Sequence, residues 1–325
     1  MMGDGLSYPD NDLPGLHFGE AGVAAALSEA IAANLIERKE NTENFILKIL
    51  NGRVDWPDFT HGAAGQGVSC LYVGSRLENK SMMELSGRCA SYLINSQKSD
   101  GSWGLSNGGS ALKDTVYSGF AHGVAGIVYF LSEYAFIFND TNAERVWKKG
   151  VEWLEKNSIP NPVSGALEWN FSNQDESKWK WWCNGSPGIA LTFLRLYERT
   201  REERYADIAK RALRVHSLDP RFSNLSLCHG LSGLGEIYLE AFRILKEERW
   251  LESAKNIART LQCLGRDSEN NSVCWLTEDP NFPRGDLMVG GSGISHFFLK
   301  FANNDKLSFP LLLDPIEQRD KRIQD

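Results

Sequence analysis

Several things are scarce in this sequence, and each scarcity removes a class of function. No apolar run approaches the ~20 residues that cross a bilayer. The opening stretch MMGDGLSYPDNDLPG has neither a basic region nor an apolar core, so a signal peptide is not expected and a cytoplasmic location is. Positive charge is in the minority. Thirty-five Lys and Arg face 42 Asp and Glu, a net charge of −7, which argues against nucleic acid or an anionic membrane as the main partner. Six cysteines in 325 residues are too sparse for a disulfide scaffold. In the cytosol such cysteines are buried, metal-bound or catalytic. No segment reads as a convincing β-run. What remains is a globular balance, 42% apolar and 24% charged, in a chain long enough for one large domain or two ordinary ones.

Against those absences stands one pattern repeated six times. Gly-x-x-Gly begins at Gly19, Gly62, Gly123, Gly185, Gly230 and Gly290, so the spacings are 43, 61, 62, 45 and 60 residues. Internal repeats fix architecture and supply a shared register. Each motif leads into a run with helical spacing of small apolar residues: 62–77, 123–138, 185–198 and 230–245 are the clearest. Amphipathic helices with charged faces are expected between them at 81–97, 142–157, 202–216 and 250–265, with Ser81 and Asn142 as N-caps for two. Buried helix, loop, polar helix, loop is the pattern of an inner ring wrapped by an outer one. The fold expected is all-α, an α/α toroid over residues 17–302, with an N-terminal segment 1–16 and a polar C-terminal tail 303–325. The glycines read as packing devices that let neighbouring helices approach and the chain turn out of the preceding loop. The long loops 98–121 and 157–182, the second carrying Trp169, Trp179, Trp181 and Trp182, are expected to line or cover a site.

The register also aligns the reactive side chains. The two residues before each motif are His17-Phe18, Thr60-His61, Ala121-His122, Cys183-Asn184, Cys228-His229 and Met288-Val289. Equivalent positions on successive inner helices should converge, so Cys183, Cys228 and His229 are expected to meet. Two thiolates and an imidazole suit Zn²⁺, and a three-ligand set leaves a position for water or substrate. Cys70, Cys89, Cys263 and Cys274 fall outside the register and add no fourth ligand. Such a zinc can hold a substrate thiol as thiolate or activate water, and spacing does not choose. His122 is the best acid/base candidate. Asp58 could orient a histidine or bind substrate, or simply cap a helix. His61 ranks below His122 as a supporting or merely satisfied residue, and His17, His216 and His296 read as structural or exposed.

The motifs AHGVAGI (121–127), WCNGSPG (182–188) and CHGLSGLG (228–235), set in an array of Gly-x-x-Gly helices, resemble the lanthionine synthetase C-like cyclases. The resemblance covers about residues 17–300. It implies an α/α toroid, zinc on Cys183, Cys228 and His229, and an active-site histidine and aspartate at His122 and Asp58. The implied reaction adds a peptide cysteine thiol to dehydroalanine or dehydrobutyrine and closes a thioether ring. The implied partner is a precursor peptide with dehydrated Ser and Thr residues. A dehydratase, or a kinase/lyase domain or subunit, is the kind of protein that would supply it. The chain departs from the family in two places. One branch carries an arginine four residues before the first zinc cysteine and a tyrosine just after it, where this chain has Trp179 and Asn184. It also shows six motifs where the family builds seven helix pairs, as a short variant or the cyclase part of a larger synthetase would.

Three other readings compete. Eukaryotic relatives couple glutathione to dehydroamino acids with the same zinc-thiolate chemistry. A toroid could also keep zinc structurally and only bind peptide. Terpene cyclase toroids carry a motif like Gln97-x-x-Asp100-Gly101-x-Trp103, but it occurs once here and no aspartate-rich acid motif accompanies it. It reads as the end of an outer helix followed by a tight turn.

Overall fold

Every Gly-x-x-Gly motif sits at the start of a helix: α1 (Glu20–Ala32), α3 (Ala63–Arg76), α6 (Val124–Phe138), α8 (Ser186–Thr200), α10 (Leu231–Leu245) and α12 (Gly291–Ala302). Between them lie α2 (Glu40–Leu50), α4 (Lys80–Glu84), α5 (Ser86–Ser96), α7 (Thr141–Lys156), α9 (Glu203–Ala212) and α11 (Glu248–Leu264). The computed structural model describes residues 14–104, 114–215, 223–268, 272–303 and 307–314. Among these, no helix is long and apolar enough to cross a membrane. His216, part of loop 98–121 and the end of the tail fall outside the described residues.

The two helix types follow from their side chains. The motif helices α3, α6, α8 and α10 are buried over most of their length, twelve consecutive residues from Ala63 to Gly74 in α3. By contrast, α1 and α12 bury a single stripe, Ala21, Ala24, Ala25, Ser28 and Ile31 in the one and Gly293, Ile294, Phe297 and Lys300 in the other. The intervening helices bury one stripe. In α7 it comprises Ala143, Val146, Trp147, Gly150, Val151 and Leu154, the 3-4-3 spacing of a helix face. Asp140 rather than Asn142 caps α7, its Oδ1 accepting the Ala143 amide at 2.8 Å. Asn79 rather than Ser81 caps α4, and the helix expected over 81–97 divides at Leu85 into α4 and α5. Two features went unread in the sequence. One is α2, whose buried stripe is only Ile46, Ile49 and Leu50. The other is a pair of short antiparallel hairpins, β1 (Ile159–Pro160) with β2 (Leu167–Glu168) and β3 (Arg266–Ser268) with β4 (Ser272–Cys274). Strands of two or three residues are too short for alternation to register.

The glycines act on their own loop more than on neighbouring helices. A β-carbon at Gly126 would overlap the carbonyl oxygen of Phe120, six residues earlier, and would also press on Phe59 of the preceding repeat. The same carbonyl overlap recurs at Gly65 with Phe59 and at Gly233 with Leu227. The loop before each helix is thus folded flat on the helix's first turn. At the first glycine, Gly185 alone has a positive φ, 129°, which disfavours a side chain. Gly126→Ala is expected to cost about 1–3 kcal/mol of stability, the usual range for overpacking. A denaturant melt checks this, and a midpoint equal to the native one would count against the packing account.

The chain divides into two compact units. The first takes the described residues of Met1–Asn157 and Asn170–Ser177. In it α3 packs between α1 and α6, and α2, α5 and α7 lie behind α1, α3 and α6 respectively. The motif Gln97–Trp103 is here a helix end and turn, as read. Gln97 Nε2 donates to the carbonyls of Gly101 and Val146, and Trp103 Nε1 donates to that of Leu93. The second unit takes Ser158–Trp169 and the described residues of Lys178–Asp325. In it α10 packs between α8 and α12, with α9 behind α8 and α11 behind α10. Its core holds a chain of buried charges. Lys300 joins Glu236 and Glu240, Arg243 joins Glu240 and Glu198, and Arg195 joins Glu198 and the carbonyls of Leu313 and Asp314. Burial alone would push the Glu240 carboxyl up. Arg243 and Lys300 hold it well below the usual carboxylate range, so its contribution is full at neutral pH and lost only in strong acid. The tail residues Phe309, Leu312 and Leu313 are buried, and Phe309 stacks on Trp182.

Candidate metal centre and proton-transfer site

The register seen in sequence corresponds to a physical ladder. In the second unit the amide of Cys183 donates to the carbonyl of Cys228 at 3.2 Å, and the amide of Cys228 donates to that of Met288 at 2.8 Å. In the first unit His17 donates to Thr60, and Thr60 to Ala121, at 3.1 and 3.0 Å. All six residues in these bonds stand two places before a motif glycine. The next position, one before the glycine, stacks its rings in the first unit: Phe18 on His61 at 5.4 Å and His61 on His122 at 5.1 Å. That is close to the separation of hydrogen-bonded strands. Backbone pairing of equivalent loop positions therefore brings together side chains that are 45 or 61 residues apart in sequence.

In the second unit the ladder assembles Cys183, Cys228 and His229. One ligand atom from each lies within 4.8 Å of the others. Cys183 is buried, while Cys228 and His229 are half-buried, so the cluster has a deep side and an accessible one. The hydrogen bond with Cys183 and burial push the Cys228 thiol well up, and the carboxylates of Glu278 and Asp286 add to this. Cys183, with Glu278, raises His229 although desolvation opposes it. The Cys228 thiol in this surrounding has no intrinsic reason to ionise. A divalent cation supplies one, and the sulfur-sulfur-nitrogen set fits zinc. Glu278 completes the arrangement. Its Oε1 lies 2.8 Å from His229 Nε2 and also accepts from Asn224 Nδ2 at 2.8 Å. Asn224 and Glu278 were missed in the sequence reading. Glu278 belongs to no repeat and carries no spacing signal.

In the first unit Asp58 is the centre. It is buried at 1% exposure, and its Oδ2 lies 2.9 Å from His61 Nδ1 and 2.8 Å from His122 Nδ1. Its Oδ1 accepts the His61 amide at 2.6 Å within the turn ahead of α3; the N-cap of that helix is Gly62, without a side-chain cap, so the helix-cap reading of Asp58 does not hold. Burial would raise the Asp58 carboxyl, but the two imidazoles outweigh it and hold the group below the usual carboxylate range. Asp58 thus remains an anion. His61 is buried, whereas the His122 side chain keeps 25% of its surface open. An Nδ1–H donated to Asp58 fixes the His122 tautomer and directs Nε2 away from the carboxylate, as an acid/base pair requires. His17 is pushed down to about 3 by desolvation, then by the neighbouring imidazoles, and is neutral. His296 joins the buried charges through Glu236, at 2.8 Å. Of the loop tryptophans, Trp169 and Trp182 are buried and pack the second unit, while Trp179 is exposed.

With this geometry in place, comparison with known proteins is informative. A family model described as lanthionine synthetase C-like protein matches residues 6–313. Nisin cyclase superposes with a TM-score of 0.66 at 19% identity, over 91% of this chain and 78% of that one. A family 76 glycoside hydrolase, an α-mannanase from Bacteroides thetaiotaomicron, superposes with a TM-score of 0.60 at 12% identity, over 88% of this chain and 85% of that one. A D-mannose isomerase gives 0.53 at 10% identity, over 79% and 78%. At these identities the structural likenesses establish fold alone, the all-α, α/α toroid class. The same class carries glycan chemistry, so the site residues must carry any functional argument.

Proposed function

Because the chain belongs to the lanthionine synthetase C-like family, we propose that it is a zinc-dependent cyclase. It would join cysteine thiols to dehydroalanine or dehydrobutyrine in a precursor peptide and form lanthionine or methyllanthionine rings. The observation that carries this reading is the Cys183–Cys228–His229 donor set, held together by the backbone ladder. Zinc bound by these three residues would supply the Lewis acidity that keeps a substrate thiol ionised near neutral pH. The chain's own groups account for the rest. The addition forms a C–S bond at the β-carbon and leaves an enolate, which needs a proton at its α-carbon. His122 is assigned that delivery from Nε2. Asp58 holds the ring through Nδ1 and stabilises the imidazolium before transfer. His61 shares the same carboxylate and keeps Asp58 fixed. Trp179 and Asn184 stand where one branch of the family has arginine and tyrosine, so His122 is the proton donor assigned in this chain.

The test is direct. Zinc-loaded protein is incubated with a peptide containing one dehydroalanine and one cysteine, and the product is treated with a thiol-alkylating reagent. Ring closure leaves the mass unchanged and removes the alkylatable thiol. A peptide that gains the mass of glutathione only when glutathione is added would favour the thiol-transferase reading. A stable complex whose peptide remains fully alkylatable would mean a binding protein.

A further inference from the structure

We infer that Glu278 is a positioning residue for the metal centre: its carboxylate, clamped by Asn224, orients His229 as a zinc ligand. The inference rests on the zinc reading above and goes one layer further out. His229 has two ring nitrogens, and Nε2 lies 2.8 Å from Glu278 Oε1. Nδ1 is therefore the nitrogen left to approach the two sulfurs. A neutral imidazole donates from one nitrogen and accepts or ligates with the other. A carboxylate at Nε2 selects the tautomer with its proton on Nε2 and its lone pair on Nδ1. It also pulls on that proton and makes the opposite nitrogen a better donor to a metal.

The clamp on the carboxylate is equally specific. Asn224 Nδ2 donates to the same Oε1 that faces His229. The opposite end of that amide, Oδ1, accepts the Ser226 amide at 2.8 Å, and the Asn224 carbonyl accepts the Leu231 amide at 2.8 Å. Asn224 is thus held at both ends by the loop that carries Cys228 and His229. Glu278 comes from a stretch after β4, outside the Gly-x-x-Gly register, and its side chain is 30% exposed. Nothing in packing demands a glutamate at so open a position. The two hydrogen bonds to the metal loop are what give it a purpose.

The test uses zinc affinity rather than turnover. Full-length native protein, Glu278→Ala and Glu278→Gln are stripped of metal and titrated with Zn²⁺ against a chromophoric chelator. Their metal-free forms are melted in parallel. Glu278→Ala should bind zinc about 10–100-fold more weakly, the usual effect of losing such a partner. Glu278→Gln keeps an acceptor without the charge and should fall between. The metal-free melting temperatures should coincide, because an exposed carboxylate contributes little to the fold. Native zinc affinity in Glu278→Ala, with the native chain binding zinc through Cys228, overturns this inference and leaves the metal centre standing. A metal-free melting temperature lowered in step with affinity overturns it too, as a purely structural role. A native chain that binds no zinc removes the metal centre itself, and the inference with it.

Discussion

Replacing Cys228 with alanine is expected to leave the purified protein without zinc, where the native chain carries about one ion, and to abolish ring formation. The size of the effect follows from the donor set. Thiolate-rich zinc sites reach apparent binding free energies of about 10–16 kcal/mol. With only three protein ligands, the loss of one removes a large share of that and lowers affinity by orders of magnitude. The fold should survive. What the ladder uses at residue 228 is its backbone: the amide donates to Met288 and the carbonyl accepts from Cys183, and alanine keeps both. Residue 228 is only half-buried, so truncation leaves no sealed cavity. Metal analysis beside a thermal melt therefore separates ligand loss from unfolding. Zinc retained at the native level in the variant would remove Cys228 from the ligand set. A native chain that takes up no zinc when it is supplied would leave a peptide-binding toroid as the better account.

How far the sequence led depended on whether a feature was periodic. The six motif helices were readable because small residues at i and i+3 recur ahead of apolar runs, and all six begin where the glycines stand. The meeting of Cys183 with Cys228 was readable for the same reason. Within each unit, a residue two places before a motif glycine is tied to its counterpart in the next repeat by a backbone hydrogen bond, so register becomes proximity. Features without a repeat were not readable. Glu278 reaches His229 from a stretch with no motif, and Asn224 lies outside the pair of positions compared across repeats. The glycines were recognised, but the object they make room for was misjudged. It is first the carbonyl of their own loop, as Phe120 shows at Gly126, and only then a neighbour. The cap residues slipped by two positions at both α4 and α7, because Ser81 and Asn142 have capping side chains but Asn79 and Asp140 have the hydrogen bonds. The likeness to glycoside hydrolases is one of scaffold, and the scaffold says nothing of which side chains stand before each glycine.

His122→Ala is expected to slow ring formation by about 10²–10⁴-fold, the range that positioned proton transfer supplies, while leaving zinc content unchanged. The separation between these two readouts is what makes the variant informative. The metal ligands Cys183, Cys228 and His229 share no residue with the Asp58–His61–His122 group, so the variant removes none of the donors. Nor should it unfold the first unit. Asp58 would lose one hydrogen bond of three, but His61 still supplies its amide to Oδ1 at 2.6 Å and Nδ1 to Oδ2 at 2.9 Å, so the buried carboxylate keeps its partners. This is the physical value of two histidines on one aspartate: one can be removed without stranding the charge. His61→Ala should then behave differently. It removes both a buried ring that stacks between Phe18 and His122 and a partner of Asp58, and should lower stability as well as rate. If His122→Ala closed rings at the native rate with its zinc intact, proton delivery would have to be reassigned, and His61, on the same carboxylate, would be the next residue to replace.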